Sequence, residues 1–274
     1  MMYNKIEKIK SLVNVLNKAS DAYYNTDIPI ISDIEFDKLF DELKQLEQET
    51  NYISSVSPTI NVGYEVKTKL NKISHSIPLK SLGKTKDLNE INKFIGDKEV
   101  LIMLKGDGLT SEIIYNNGNL NQGSTRGNSI IGEDITHNVK TYKNIPLKIN
   151  FKGYLKLAGE SVIFDKDFKL INSKLLEKDR YSNSRNLVAG SVRQLDSSIC
   201  TKRNVNFMVF TLLECHDKNK SEIEFKNLED QFDFLSKLGF YIIPYIKYKK
   251  NKYDNVDTLG NCIDSLKKYA IEKG

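Results

Sequence analysis

Apolar residues recur with a helical period at the start of the chain. Six of them between positions 6 and 19 return every three or four residues, which predicts an amphipathic helix over residues 3 to about 20. A loop, YYNTDIPIISD, is predicted to follow at residues 23–33, with two neighbouring tyrosines at its start. Loops between helices often carry function, although packing is the simpler interpretation of the tyrosines.

A second helix is predicted to begin after Ser32. Ser32 and Glu35 have the capping-box spacing, in which the serine accepts a hydrogen bond from the Glu35 amide. Apolar residues at positions 36–46 then line one face of this helix. Residues 52–84, which contain prolines and glycines, are predicted to be a linker that leads out of the helical part.

The apolar pattern changes period near residue 100, where short apolar runs and alternation predict strands. Asn117-Gly118 stands between two extended runs and is a strong hairpin signal. Residues 100–104 form a continuous apolar run and are expected to be a buried strand. Further strands are expected at 110–115, 154–163 and 205–213. Helical spacing is found at 85–95, 228–238 and 256–269. The chain is therefore expected to belong to the α+β class.

Composition is that of a globular protein. Hydrophobic residues are 39% and charged residues 28% of 274, and no apolar run approaches the length that crosses a bilayer. The N-terminus carries no secretory signal, so we expect a cytoplasmic protein that makes no membrane contact. The widely spaced Cys200, Cys215 and Cys262 argue against a disulfide framework and a zinc cluster. A net charge of +5 permits nucleic-acid binding without predicting it.

A candidate nucleophile, Lys105, stands at the end of an apolar run in the segment LKGDG. A lysine nucleophile needs a neutral amine, which partial burial at the end of a strand would favour. Gly106 and Gly108 would let the backbone approach a ligand closely, and Asp107 could orient the amine. A surface turn after a strand explains these residues equally well, so the segment alone leaves both interpretations open.

The segments on either side of Lys105 add a specific context. Upstream they are Tyr23-Tyr24, Asp27, Pro29, residues 31–37, Ser57-Pro58-Thr59, Val62-Gly63, His75, Pro78 and Ser81-Leu82. Downstream they are Ser124-Thr125-Arg126-Gly127, residues 132–136, Asn138, Ile145-Pro146-Leu147, Gly159-Glu160 and residues 183–196. In this order the chain resembles the adenylation domain of bacterial NAD-dependent DNA ligases over almost its whole length. The N-terminal part distinguishes it from ATP-dependent ligases and RNA-capping enzymes, which share the lysine segment.

The resemblance implies a reaction and its participants. Lys105, with Asp107 beside it, would attack the α-phosphate of NAD, release nicotinamide mononucleotide and retain AMP. AMP would pass to the 5′-phosphate of nicked double-stranded DNA, and the 3′-hydroxyl would then seal the nick, in replication and repair. Bound Mg²⁺ and a nearby arginine would absorb negative charge at phosphorus.

The resemblance also assigns the remaining site residues, and none of them is implied as a metal ligand. They are Tyr23, Tyr24, Asp33, Phe36 and Asp37 around the mononucleotide, Ser81 and Leu82 against adenine, Arg126 and Glu160 on the nucleotide and its ribose, and Arg185 and Arg193 on DNA phosphates.

Several residues depart from the family's usual pattern. Met103 stands where the family has an acid that accepts from the adenine amino group, and a buried methionine is no comparable acceptor. Gly106 replaces an aliphatic residue, Ala158 an arginine and Phe36 a tyrosine. Asn128-Ser129 replaces an aspartate-glycine pair.

The implied fold is a nucleotidyltransferase (ATP-grasp-like) fold of antiparallel sheets with flanking helices. Residues 1–70 would form a small helical subdomain with a linker, which binds the nicotinamide mononucleotide half of NAD, and residues 71–274 the nucleotidyltransferase domain. That domain is expected to be incomplete at its C-terminus, because two lysine-bearing strands of the family would follow residues 256–269.

Two functions remain open from the sequence. The chain is either an NAD-dependent DNA ligase adenylation domain that forms lysyl-AMP and binds DNA weakly alone, or a degenerate relative that binds NAD or a nucleotide without sealing DNA. The oligomeric state is open as well.

Overall fold

The computed structural model describes residues 2–25, 30–60, 69–80, 83–250 and 256–273. Helices form its N-terminal region, and antiparallel strands with further helices form the rest. The helices are α1 (Met2–Asn25), α2 (Asp33–Thr50), α3 (Leu88–Ile95), α4 (Thr136–Val139), α5 (Asp165–Ser173), α6 (Ser184–Val192), α7 (Ser197–Lys202), α8 (Leu228–Lys237) and α9 (Val256–Lys273), with a 3-10 helix at Glu177–Asp179. The strands are β1 (Lys72–Ser74), β2 (Glu99–Met103), β3 (Leu109–Asn116), β4 (Asn119–Thr125), β5 (Ile131–Glu133), β6 (Tyr154–Val162), β7 (Asn206–His216) and β8 (Tyr245–Lys249).

Residue contacts divide the chain into two units. The first unit comprises Met1–Leu79 and Arg126–Glu133, and the second comprises Lys80–Thr125 and Asp134–Gly274. The division after residue 70 stays a prediction of the sequence. Among the described residues, no helix is long and apolar enough to span a membrane.

The two long helices of the first unit pack through their predicted apolar faces. Ile9, Leu16 and Leu43 are fully buried in a cluster to which both helices contribute. Helix α2 begins where the capping box predicts, since the Ser32 hydroxyl accepts from the Glu35 amide at 3.2 Å. The loop prediction for Tyr23 and Tyr24 is wrong, because α1 continues to Asn25.

A buried carboxylate anchors the segment that follows α2. Glu47 is only 4% exposed, and its two oxygens accept hydrogen bonds of 2.6 Å from the hydroxyls of Ser57 and Thr59. Farther along, β1 pairs with β5 in antiparallel register. The linker prediction for residues 52–84 is therefore wrong at β1, a strand too short for its own sequence pattern to reveal.

The second unit contains a four-stranded antiparallel sheet in the order β4-β3-β6-β7. The predicted hairpin between β3 and β4 is confirmed, with Asn117 and Gly118 at φ of 49° and 81°. Ile113 and Leu157, which pair across β3 and β6, are fully buried on one face of this sheet. Thr110, Glu112, Lys156 and Glu160 alternate onto the opposite, more polar face.

A smaller antiparallel sheet in the second unit consists of β2 and β8. It packs with α3 and α9 around Ile95, Tyr248 and Leu259. The prediction that residues 100–104 form a buried strand is correct for the strand and wrong for its burial. Both ends of β2 are exposed and its middle is half-buried, because it pairs with a single partner strand.

Candidate functional site

Lys105 directly follows β2 and one anchored residue. The Leu104 amide donates to the Pro244 carbonyl at 3.0 Å, and the Leu104 side chain packs against a buried cluster that includes Val162 and Met208. The Lys105 side chain itself is exposed. The expected partial burial of this amine is therefore wrong, because the strand before it is exposed at its end.

The backbone around Lys105 lies directly on β6. A β-carbon at Gly108 would be 1.9 Å from the carbonyl oxygen of Ser161, a distance that no side chain can satisfy. A β-carbon at Gly106 would be 3.0 Å from Cβ and Cγ of Glu160 and 3.1 Å from Cε of Met208. The two glycines thus let the lysine loop, residues 104–108, lie close to β6 with Glu160 beneath it.

Glu160 presents a carboxylate beneath this loop. It is half-buried, and its Oε2 accepts a hydrogen bond of 2.9 Å from the hydroxyl of Thr110 on β3. The register between β6 and β7 shifts beside it, between Ala158 and Gly159. Such irregularities re-aim side chains in sheets, and a carboxylate so placed can accept hydrogen bonds from ligand hydroxyls.

Asp107 and Arg185 bring α6 to the lysine loop. Nη1 of Arg185 lies 3.6 Å from Oδ1 of Asp107. Arg185 stands in the first turn of α6, and the Asn183 side chain caps this helix by accepting from the Asn186 amide at 2.8 Å. Burial lowers the pKa of the Arg185 guanidinium, since desolvation disfavours its charge. A largely desolvated cation thus stands beside the loop of the candidate nucleophile.

Further charges lie along the same polar face of the sheet. Lys156 is 4% exposed, and its Nζ lies 2.5 Å from Oε1 of Glu214. Burial lowers the pKa of Lys156, but the hydrogen bond to Glu214 and the charges of Tyr154, Glu112 and Glu214 raise it, and the net shift is upward. Lys156 therefore stays protonated, and this face carries a buried cation between acids.

Two family models match the chain in succession. The model described as DNA ligase-like, N-terminal NAD+-binding domain matches residues 2–63, and the model described as NAD-dependent DNA ligase adenylation domain matches residues 67–271. The chain belongs to the NAD-dependent DNA ligase adenylation domain family. The family predicted from the sequence is thereby confirmed.

Several similar proteins are named DNA ligase. One from Lachnoclostridium phytofermentans is 42% identical over 88% of this chain. Others from Ruminiclostridium cellulolyticum and Clostridioides difficile are 39% and 37% identical, each over 89% of this chain. The aligned part is 37% of each of these three relatives, so this adenylation-domain chain spans less than two fifths of their length.

The structure brings together three of the residues predicted for the adenylation site and one that was predicted to bind DNA. Lys105, Asp107 and Glu160 meet at the lysine loop, and Arg185 reaches it from α6. Arg193, at the end of α6, is half-buried. Their roles toward NAD and DNA stay predictions.

The remaining predicted residues are distributed over both units. Arg126 is half-buried in the first unit, at a turn in which its carbonyl accepts from the Ser129 amide at 3.0 Å. On α2, Phe36 packs against the helical core while Asp37 is exposed. Ser81 and Leu82 lie outside the described residues, as do the side chains of Tyr23, Tyr24 and Asp33.

One departure from the family pattern has a different setting from the one expected. Met103 is 36% exposed and not buried, because it ends the open strand β2. Sequence reasoning also missed Thr110, the hydrogen-bond partner of Glu160, and Lys156. Alternation along β3 and β6 indicates which side chains of each strand share a face of the sheet. It does not show that Thr110 pairs with Glu160, because the two residues are 50 positions apart in the chain.

Proposed function

We propose that this chain is the self-adenylating part of an NAD-dependent DNA ligase. The Lys105 amine attacks the adenylyl phosphorus of NAD, a P–N bond forms, the P–O bond to nicotinamide mononucleotide breaks, and the lysine proton leaves to solvent. The observation that carries the proposal is the lysine loop. Its backbone packs closely against Glu160, and it presents Lys105 with an exposed side chain. Asp107 in the same loop faces a cation from α6.

Different parts of the chain would bind the two halves of NAD. The helices of residues 1–70 would bind the mononucleotide half of NAD through Tyr23, Tyr24, Asp33, Phe36 and Asp37. The nucleotidyltransferase fold of residues 71–274 would bind the adenylate. Glu160 would accept from the ribose, Ser81 and Leu82 would contact adenine, and Arg126 would contact a phosphate. The mixed helical and antiparallel architecture is compatible with this fold.

Nicked double-stranded DNA would be the later substrate. Arg185 and Arg193 lie at the two ends of α6, and arginine is well suited to phosphate. Nick sealing in replication and repair would be the later reaction, and weak DNA binding is expected of this chain alone.

Magnesium fits the site when it is bound partly by the substrate, and not in a cage made only of protein ligands. Within the described ranges, no group of three or more His, Cys, Asp or Glu residues lies together as a metal cage. Mg²⁺ often binds through one or two carboxylates, water and substrate phosphates, and Asp107, whose side chain is 66% exposed, can supply such an oxygen. When bound, the ion would neutralise phosphate charge.

The alternative of a degenerate, binding-only relative receives less support. Gly106, which departs from the family, is accommodated by the close contact of the loop with Glu160, so that departure does not disrupt the site. Asp107 and Arg185 lie within ion-pair distance of each other. The charged groups Lys105, Asp107 and Arg185 lie together at the lysine loop, which favours the enzyme over the binding-only relative.

The test is transfer of AMP to the protein. Incubation with NAD and magnesium should add the mass of one AMP to the wild-type chain, and Lys105→Ala should abolish the gain because it removes the accepting amine. Lys98→Ala, which changes an exposed lysine just before β2, should retain it. Chelation of magnesium should slow the gain by about 100-fold or more.

Peptide mapping completes this test. The added AMP should be on the peptide that contains Lys105. A wild-type chain that gains no AMP, or a Lys105→Ala chain that gains as much, would refute the proposed reaction.

A further inference from the structure

We propose that Thr110 is a positioning residue that, together with Gly106, fixes Glu160 in the orientation that recognises the ribose of the adenylate. The inference rests on the proposed function and deepens it, because it names the groups that set the substrate-binding geometry of Glu160. Neither residue carries a role from the resemblance to the ligases.

The hydrogen bond from Thr110 determines the direction of the carboxylate. Thr110 and Glu160 are paired in register on β3 and β6, so their side chains leave the sheet on the same face. The Thr110 hydroxyl donates to Oε2 of Glu160 at 2.9 Å, because an ionised carboxylate has no proton to give. Hydrogen bonds to a charged acceptor are the stronger kind, and both residues are half-buried.

Gly106 restrains the stem of the same side chain. The backbone of the lysine loop is so close that a β-carbon at position 106 would be 3.0 Å from both Cβ and Cγ of Glu160. Met208 is the register partner of Glu160 on β7, and its Cε would be 3.1 Å from the same β-carbon at position 106. The stem of Glu160 is thus held between the sheet and the loop that carries Lys105.

The backbone below Glu160 is equally restrained. A β-carbon at Gly159 would be 2.4 Å from the carbonyl oxygen of Met208, so β6 and β7 approach closely at this point. Backbone, stem and one carboxylate oxygen of Glu160 are therefore fixed by different neighbours. A carboxylate fixed in this way loses little further freedom when a ligand binds, which improves affinity and alignment with the nucleophile.

The competing explanation is that Thr110 and Glu160 form a cross-strand pair that only stabilises the sheet. Such a pair would change the free energy of unfolding when broken, without changing how the enzyme distinguishes ribose from deoxyribose. Substrate discrimination therefore separates the two explanations, and stability alone does not.

The first measurement is single-turnover AMP transfer to Lys105 at varied NAD concentration, followed by intact mass. Thr110→Val keeps the shape and removes the donor, and we expect the NAD concentration for half-maximal rate to rise about tenfold, with a smaller change in maximal rate. Thr110→Ser restores the donor and should recover most of the loss. Thr201→Val, the same change at an exposed threonine of α7, should behave as wild type.

The second measurement uses NAD analogues that lack the 2′- or 3′-hydroxyl of the adenosine ribose. In the wild-type chain, removal of the hydroxyl that Glu160 accepts from should raise the analogue concentration needed for half-maximal rate about tenfold above that of NAD. In Thr110→Val the same analogue should cause a much smaller additional loss, because the acceptor is already misaligned. This non-additivity is the signature of positioning.

The outcomes separate the inference from the function on which it rests. A wild-type chain that takes AMP from NAD while Thr110→Val retains the full penalty for the deoxy analogue would overturn the inference and leave the enzymatic proposal standing. A wild-type chain that takes no AMP would overturn both.

Discussion

At the residue scale, the two glycines of the lysine loop differ in what they tolerate. Gly108 faces a backbone oxygen, and a β-carbon there would be 1.9 Å from it, so Gly108→Ala must displace a strand. Gly106 faces side chains at 3.0 to 3.1 Å, which can yield by a few tenths of an ångström. We expect Gly108→Ala to lose about 3 kcal/mol of unfolding free energy and Gly106→Ala about 1 kcal/mol.

Urea unfolding of the two variants beside the wild type checks this order. The AMP-transfer assay should give the same ranking, with Gly108→Ala the less active protein. Equal losses at the two positions would contradict the close approach of the loop to β6.

The sequence indicates site residues whose roles stay predictions. Lys105, Asp107 and Glu160 could be named from the resemblance of their segments to the ligases, and the structure places them near one another. Thr110 could not, because its partner is set by strand register. The burial of Met103 was predicted wrongly, since an apolar run does not tell a central strand from one with a single partner.

At the element scale, a buried amide holds the end of α6. Asn138 is fully buried, and its Nδ2 donates to the carbonyls of Val192 at 2.8 Å and Gln194 at 2.7 Å. Its removal leaves the buried carbonyl of Val192 and the partly buried carbonyl of Gln194 without this donor. Asn138→Ala should therefore cost about 2 to 3 kcal/mol of stability.

Thermal and urea unfolding would measure that loss. Asn261→Ala, an exposed asparagine on α9, is the matched control and should lose no stability. Stability equal to wild type in Asn138→Ala would mean that α6 is held by its apolar side alone.

Elements with a local signal were predictable, and a short strand defined only by its distant partner was not. The cap at Ser32 and the turn at Asn117-Gly118 are encoded by neighbouring residues, and both were predicted. Strand β1 consists of three residues whose pairing with β5 lies about 60 positions away in the chain, so the sequence pattern predicted a linker. Long-range pairing is the part of the fold that periodicity does not contain.

At the scale of the whole molecule, the proposed binding of the two halves of NAD by different parts of the chain has a kinetic consequence. AMP transfer from NAD and its reversal by nicotinamide mononucleotide pass through the same transition state. If Asp37 contacts only the mononucleotide, Asp37→Ala should lower kcat/KM in both directions by the same factor, about tenfold or more. The equilibrium between the free and adenylated chain should stay unchanged.

Rates of mass gain with NAD and of mass loss with nicotinamide mononucleotide give both values. Asp41→Ala, one helical turn farther along α2 and likewise exposed, should leave both rates at the wild-type level. A loss confined to one direction, or a shifted equilibrium, would show that Asp37 acts on the chain itself and not on the mononucleotide.

The close packing of the lysine loop against β6 also limits how the Lys105 amine can move. With Leu104 bonded to Pro244 and Gly108 against Ser161, the main chain on both sides of Lys105 is pinned. Any excursion of the amine toward a phosphorus must then come from rotation about the four-carbon side chain. The length of the Lys105 side chain therefore sets how far its amine can move from the fixed backbone.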